Sequence, residues 1–242
     1  MSYTIDDTEL ARRSVQGFGE MVAALGQGIS AETVVRRANA LGARIEAAAH
    51  NPWFDAAIIP VGATPPDDDP RLPHCLWTLV DAVPGRVELP EIATPCMGIR
   101  LDSTFKTGTG NNLIIESPSL TELGEINERA YGETGFTPLV SALSDARVHT
   151  HGFRENGTFV SVALTLSVGD DLSIHYVATE AGHRRRGLAS QLVYGILTAA
   201  QEEGMLSATL QASADGLPVW QRLGFRRVAM LRGYLRPDAT ID

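Results

Sequence analysis

The sequence predicts an α/β chain of the α+β kind, in which helices and strands share a core. Three observations predict it. An apolar strand, Leu172 to Thr179, runs through a loop rich in glycine and arginine straight into an amphipathic helix, Leu188 to Glu202. Arg147 to Phe153 and the β-branched run Thr158 to Val168 flank the turn Glu155-Asn156-Gly157, a strong hairpin signal. Near the start, Phe18, Met21, Val22 and Leu25 recur at helical spacing. With 242 residues, 44% of them hydrophobic, the chain can build one large domain or two small ones around a well-buried core.

The elements follow in order. Asp6 or Asp7 can cap a first helix that runs to about Leu25. Gly26 to Gly28 break its pattern. Ser30 can cap a second helix, with Val34, Ala38, Leu41 and Ile45 as its stripe, ending near His50 before Asn51-Pro52. Asp55 to Val61 reads as a strand. The three aspartates of the loop ATPPDDDPRLP read as a solvated turn rather than a metal site. Cys75 to Val80, Val87 to Leu89 and Met97 to Leu101 are further strands. The polar, glycine-containing run Thr104 to Asn112 marks a boundary between residues 1–103 and 104–242. Beyond it, Leu113 to Glu116 reads as a strand, and Ser119 caps a helix from Leu120 to Tyr131 with Glu122 at the capping-box position. A short helix covers Pro138 to Leu143. After the helix Leu188 to Glu202 come a strand, Ser207 to Ala212, and a short helix ending Trp220-Gln-Arg-Leu-Gly-Phe225.

The loop before Leu188 is an anion-binding device. The first turn of a helix leaves backbone N–H groups unpaired, and the helix dipole puts partial positive charge there. Gly187 lets a ligand approach the backbone, Ala189 and Ser190 keep the next turn open, and Arg184, Arg185 and Arg186 add charge. A phosphate or pyrophosphate is the natural occupant. A dinucleotide loop would need Gly-x-Gly-x-x-Gly and a Walker loop Gly-Lys-Ser/Thr; the sequence here has neither. Residues 1–103 carry no phosphate loop and are not expected to bind such a ligand.

Arg184-x-x-Gly187-x-Ala189 resembles the acyl-CoA signature of the GNAT acetyltransferases, Gln/Arg-x-x-Gly-x-Gly/Ala. Tyr176 to Thr179 is similar to the strand those enzymes splay open for the pantetheine arm. The ending Trp220 to Phe225 resembles their Tyr-x-x-Leu-Gly-Phe. The likeness runs from about Asn112 to Pro237, roughly half of the chain. It implies a mixed, mostly antiparallel sheet with helices on both faces, acetyl-CoA as cosubstrate without a metal, and direct transfer of an acetyl group to a primary amine of a small molecule or peptide. It implies also that Val177, Ala178 and Thr179 line the arm, with backbone groups of Val177 and Thr179 meeting its amides. Arg184, Arg185, Arg186, Gly187, Leu188, Ala189 and Ser190 would hold the pyrophosphate. Ser213 falls where the family usually has an asparagine on the arm, and reaches less far. Residues 1–103 are then either a degenerate, partial GNAT-like lobe or an extension packed on the catalytic half.

Trp220 departs from the family's tyrosine, which protonates the departing thiolate. Indole offers an N–H donor and no proton of suitable pKa, so Trp220 is not a general acid. Ser173, His175, Val177 and Thr179 should alternate onto one strand face, where His175 is the titratable group suited to act as base or water relay. The alternative is a hydrogen-bonded core histidine. His149 and His151 also share a face, but no third metal ligand is evident. An acyl-CoA-binding sensor without turnover is the second functional reading, supported by the missing tyrosine.

The formal net charge of −9 opposes nucleic-acid binding, even through the arginine triplet, and mildly favours cationic small molecules or basic peptides. No run approaches the ~18 apolar residues of a membrane span, and MSYTIDDTEL lacks the layout of a signal peptide. Cys75 and Cys96 read as free thiols in a reducing cytoplasm. A homodimer is compatible with all of this.

Overall fold

The computed structural model describes residues 5–49, 51–67, 69–102, 105 and 114–237. Helix α1 (Asp7–Ile29) starts where the Asp6 carboxylate accepts the Glu9 N–H at 2.8 Å. It buries Leu10, Phe18, Met21, Val22 and Leu25 against the sheet. Where the sequence suggests a second helix from Ser30 to His50, the chain forms a 3-10 turn (Ala31–Thr33), the hairpin β1 (Val34–Arg37) and β2 (Ala40–Ala43), and a second 3-10 turn (Glu46–Ala48). The β-branched pair Val34-Val35 suits a strand, and Ala38-Asn39 supplies a two-residue turn that closes Arg37 on Ala40. Packing against α1 decides between the two periods. His50 lies outside the described residues.

Strands β3 (Ala56–Ile58) and β4 (Cys75–Thr78) follow. The two short strands expected after them are one, β5 (Val87–Arg100), whose pairing with the last strand skips residues 90–93 in a bulge that accommodates Pro90. Helix α2 (Leu120–Tyr131) carries both halves of the Ser119–Glu122 capping box, and α3 (Phe136–Ser141) is one short turn beyond it. Hairpin β6 (Val148–Glu155) and β7 (Thr158–Val168) turns through Asn156 and Gly157, both at positive φ. Then come β8 (Asp171–Thr179), α4 (Leu188–Glu202), β9 (Ser207–Gln211), α5 (Leu217–Arg222) and β10 (Arg226–Leu235).

The strands form one mixed sheet in the order β1-β2-β3-β4-β10-β5-β9-β8-β7-β6. The pairs β3/β4 and β8/β9 are parallel and the others antiparallel. Helices α1, α2 and α3 cover one face, with Phe18, Leu25, Leu123, Phe136 and Leu164 in a common core; α4 and α5 cover the other, with Ile174, Leu192, Ile196, Leu210 and Phe225. β5 lies between β10 and β9, so the sheet runs across the boundary expected in residues 104–112, a run that, apart from Phe105, lies outside the described residues, as does Leu113 of the expected next strand. Glu116 forms an isolated bridge to Gly152. Helix α1 is also tied to the end of the chain: Arg13 donates to Ser207 Oγ at 2.9 Å and pairs with Asp170 at 2.7 Å, and Ser14 Oγ donates to the Leu210 carbonyl. Both cysteines are free and buried, and burial pushes the Cys96 thiol up to about 11.

Candidate active site

The sheet opens between β8 and β9. They pair only over Asp171–Ser173 and Ser207–Thr209. Buried Asp171 closes this end, accepting from Ser207 Oγ at 2.5 Å and Thr209 Oγ1 at 2.6 Å. Burial raises its carboxyl pKa, against the pull of those two hydroxyls. Beyond Ser173 and Thr209 the strands part.

At the parting, β8 carries a bulge. Leu164 of β7 faces His175, yet Val162 faces Ala178, so Tyr176 and Val177 together oppose one residue. Tyr176 sits at φ +50, rare for an aromatic residue. Helix α2 holds the bulge. Asn127 Nδ2 donates to the Tyr176 carbonyl at 3.2 Å, and Tyr131 OH donates to the Val177 carbonyl at 2.8 Å. The Tyr176 ring packs on Phe136, centroids 4.5 Å apart. The extra residue breaks the expected alternation of Ser173, His175, Val177 and Thr179 onto one face: Tyr176 joins the core under α1 and α2, while Val177 joins the core under α4.

Past the bulge, Glu180 N–H bonds the Val160 carbonyl at 2.9 Å, so Ala178 and Glu180 turn their backbone groups to β7. Val177 and Thr179 turn theirs to the open side. Their carbonyls each hold one donor there, Tyr131 OH on Val177 and Arg184 Nε on Thr179 at 3.1 Å. A carbonyl oxygen keeps a second lone pair for a ligand.

The strand leads into the arginine-rich loop. Arg185 at φ +61 and Gly187 at φ +78 alternate with residues at negative φ, the backbone pattern of an anion-binding nest. Gly187 is the N-cap of α4, and no side chain caps that helix. The first-turn N–H groups of Leu188, Ala189 and Ser190 therefore have no partner from a capping side chain. The three arginines divide the work. Arg184 also donates to the Ala130 carbonyl, fixing the loop to α2. Arg186 pairs with Glu155 at 2.6 Å, and His183 joins the same carboxylate at 3.0 Å. Arg185 is exposed and pairs with nothing among the described residues.

A cavity of about 340 Å³ fills the parting. His175 and Trp220 both line it, with Ser213 at its edge. Burial pushes His175 down to about 3, so the ring is neutral; its Nε2 lies 2.8 Å from Ser173 Oγ. Trp220 is buried and packs edge-on against Phe225, centroids 6.3 Å apart.

The acetyltransferase (GNAT) family model matches residues 118–225. That segment is a GNAT domain. The chain also resembles a GCN5-related N-acetyltransferase from Kribbella flavida at 17% identity and a TM-score of 0.58, covering 91% of this chain and 96% of that one. A GNAT-family protein from Novosphingobium aromaticivorans gives 17% identity and a TM-score of 0.55, over 88% and 95%. Coverage this high carries the shared fold into residues 1–103. No curated protein matches the chain. The GNAT family uses acetyl-CoA as cosubstrate and acts on amines.

Within that segment Val177, Ser213 and Trp220 line the cavity, whereas Ala178, Thr179 and the loop Arg184 to Ser190 follow Val177 along the chain and are not among its lining residues. Ser213 Oγ accepts the Gly216 N–H at 3.2 Å, which commits it to the entry of α5. His149 and His151 lie on β6; burial lowers His151 to about 4, and its Nε2 meets Thr165 Oγ1 at 2.9 Å. Among the described residues no three His, Cys, Asp or Glu side chains come together as a metal site, and no helix is long and apolar enough to cross a membrane. Sequence reasoning missed Tyr131 and Asn127, and the aromatic wall: seven of the chain's fifteen Phe, Tyr and Trp residues line this cavity. That clustering in a chain only 6% aromatic is a signal that appears once the fold brings them together.

Proposed function

We propose that the GNAT domain transfers an acetyl group from acetyl-CoA to a primary amine by direct attack. One observation carries this reading: β8 leaves β9 at Ser173, exposing the backbone edge of Val177 and Thr179, and that edge leads into a helix N-terminus with no side-chain cap. The fit is chemical. An uncapped nest with a guanidinium to spare at Arg185 suits a pyrophosphate. Backbone groups of Val177 and Thr179 that face away from β7, their carbonyls each with a lone pair beyond the one Tyr131 or Arg184 uses, suit the amides of a pantetheine arm.

Bound acetyl-CoA would supply an acyl thioester activated toward nitrogen nucleophiles. The chain's part is positioning. Backbone N–H groups from Arg185 to Ser190 hold the anionic end, Val177 and Thr179 orient the arm, and the cavity holds the amine dry beside it. Such alignment supplies much of the rate of an acyl transfer. His175, neutral and poorly basic, offers a hydrogen bond rather than a resting base. Trp220 Nε1 offers a hydrogen bond to a sulfur anion and no acidic proton. A thiol of ordinary pKa, ~8.5, leaves without a dedicated acid. The buried free thiols fit a reducing compartment such as the cytoplasm.

The test is thiol release from acetyl-CoA across a panel of amines. Release that depends on the amine is expected. Tight CoA binding with no release for any amine would instead make the protein an acyl-CoA sensor.

A further inference from the structure

The cavity is built by both parts of the chain. Its far wall comes from before residue 103: Phe18 of α1, and Trp53 and Phe54 from the segment between β2 and β3. The rings touch in two groups. Phe18 meets Trp53 edge-on at 5.8 Å, Phe54 stacks on Phe136 at 5.5 Å, and Phe136 meets Tyr176 at 4.5 Å.

Several polar atoms in the lining are already engaged within the protein. Asn127 Nδ2 bonds the Leu123 and Tyr176 carbonyls, Thr94 Oγ1 the Ala212 carbonyl, and Gln211 Nε2 the Ser14 carbonyl. Asn51 Oδ1 accepts the Trp53 N–H at 2.9 Å. An acceptor with more hydroxyls or amides than the remaining polar atoms can meet would bury groups without partners, at a cost.

The charged residues in the lining are both acids, Glu128 and Glu133; among the described residues no Lys or Arg lines the cavity. The two differ. Glu128 accepts the Thr137 N–H at 2.9 Å, and backbone amides at the start of α3 hold its carboxyl below the usual range. Glu133 is exposed at the rim, and its carboxylate pairs with nothing among the described residues. An uncompensated carboxylate beside aromatic faces draws a cation through charge and through the ring quadrupoles. A volume of about 340 Å³ lies at the low end of small-molecule sites.

We infer that this cavity selects a small primary amine that is captured as a single cationic head at Glu133, attacks as the free amine once its proton has passed to the solvent at that exposed rim, and rests an aromatic or compact apolar body against Phe18, Trp53 and Phe54. The inference rests on the acetyl-transfer reading above and concerns which amine is used.

Two measurements test it in the full chain. In thiol-release assays with acetyl-CoA, 2-phenylethylamine should exceed spermidine, glucosamine and a short glycine-rich peptide by at least ~10-fold in kcat/KM, as expected for burying a ring. In binding assays with CoA present, read by tryptophan quenching, 2-phenylethylammonium should bind at least ~10-fold tighter than neutral 2-phenylethanol, the margin of one charge-assisted contact. Glu133→Gln, an exposed and isosteric change, should bring the two ligands within ~3-fold of each other. Trp53→Leu should weaken both. Release with spermidine, glucosamine or peptide but not with the aryl amine overturns the inference and leaves acetyl transfer standing. No release with any amine, but a retained preference for the ammonium over the alcohol, overturns turnover and supports the site. Equal binding of amine and alcohol, binding of neither, or indifference to Glu133→Gln overturns the inference. So does a preference for long acyl-CoA in place of any amine preference, which would give the cavity to the acyl chain.

Discussion

Tyr131 OH and the Val177 carbonyl are joined by a 2.8 Å hydrogen bond, so the last residue of α2 closes on the stretch of β8 that has left β9. An ordinary phenol keeps its proton at neutral pH, so Tyr131 is the donor. If an arm amide uses the same carbonyl, the two donors compete. Tyr131→Phe should then tighten acetyl-CoA binding by ~2–10-fold, the net value of one hydrogen bond. Isothermal titration measures it. Weaker binding would mean that the phenol itself contacts the ligand.

Gly187→Val should abolish CoA binding. The new Cβ would meet no protein atom closer than Gln191 Nε2 at 3.6 Å, so the protein itself leaves room. The costs are backbone strain at φ +78, about 1–2 kcal/mol, and intrusion on the nest. Gly204→Val, at φ +87 in open space past the far end of α4, carries the strain alone. Equal thermal destabilisation of the two variants, with CoA binding lost only in Gly187→Val, is the expected result.

Acid should destabilise the fold partly through His175. Its folded pKa, about 3, lies below the ordinary 6.5, so the unfolded chain takes the proton first. Stability is intact above pH 6.5 and falls as pH drops from there toward 3, by about 1.4 kcal/mol per pH unit for one proton. His151, lowered to about 4, acts in the same direction, whereas Asp171, with its raised carboxyl, opposes both. Urea midpoints at pH 7 and pH 5 should differ less in His175→Gln than in the parent. The pH–rate profile of the parent should show no histidine ionisation between pH 5 and 8; a limb near 6.5 that vanishes in His175→Gln would restore the ring as a base.

Trp220→Phe keeps an aromatic filler against Phe225 and removes the N–H. Turnover should fall by no more than ~30-fold, within ~2 kcal/mol. Trp220→Tyr should equal or exceed the parent. A properly folded Phe variant that binds acetyl-CoA normally yet loses more than ~10³-fold would show that the indole acts directly in the transition state.

Much of the second half is legible because its signals are local. The capping box at Ser119 and Glu122, the Asn156-Gly157 turn and the glycine that opens α4 each act within a few residues. What the residues do not announce is non-local. The spacing of Val34, Leu41 and Ile45 suits a helix until α1 offers a sheet face to pack on. The Tyr176 bulge depends on Asn127 and Tyr131, more than forty residues earlier. A polar run at 104–112 reads as a boundary, but strand order is set by pairing that local composition does not encode, and β5 ends up inside the second half's sheet.

The seat of β10 between β4 and β5 bears on how the protein is made. A ribosome releases β4 and β5 long before it releases β10, and until then each lacks that neighbour and presents an unpaired edge. Arg13 and Ser14 likewise wait for Ser207 and Leu210, nearly two hundred residues on. Contacts so distant in sequence close slowly, and open edges invite pairing with other chains. The nascent protein therefore cannot lock its core stepwise from the N-terminus. β10 is the keystone of this sheet, and the cleft between β8 and β9 takes shape only after β9 has emerged.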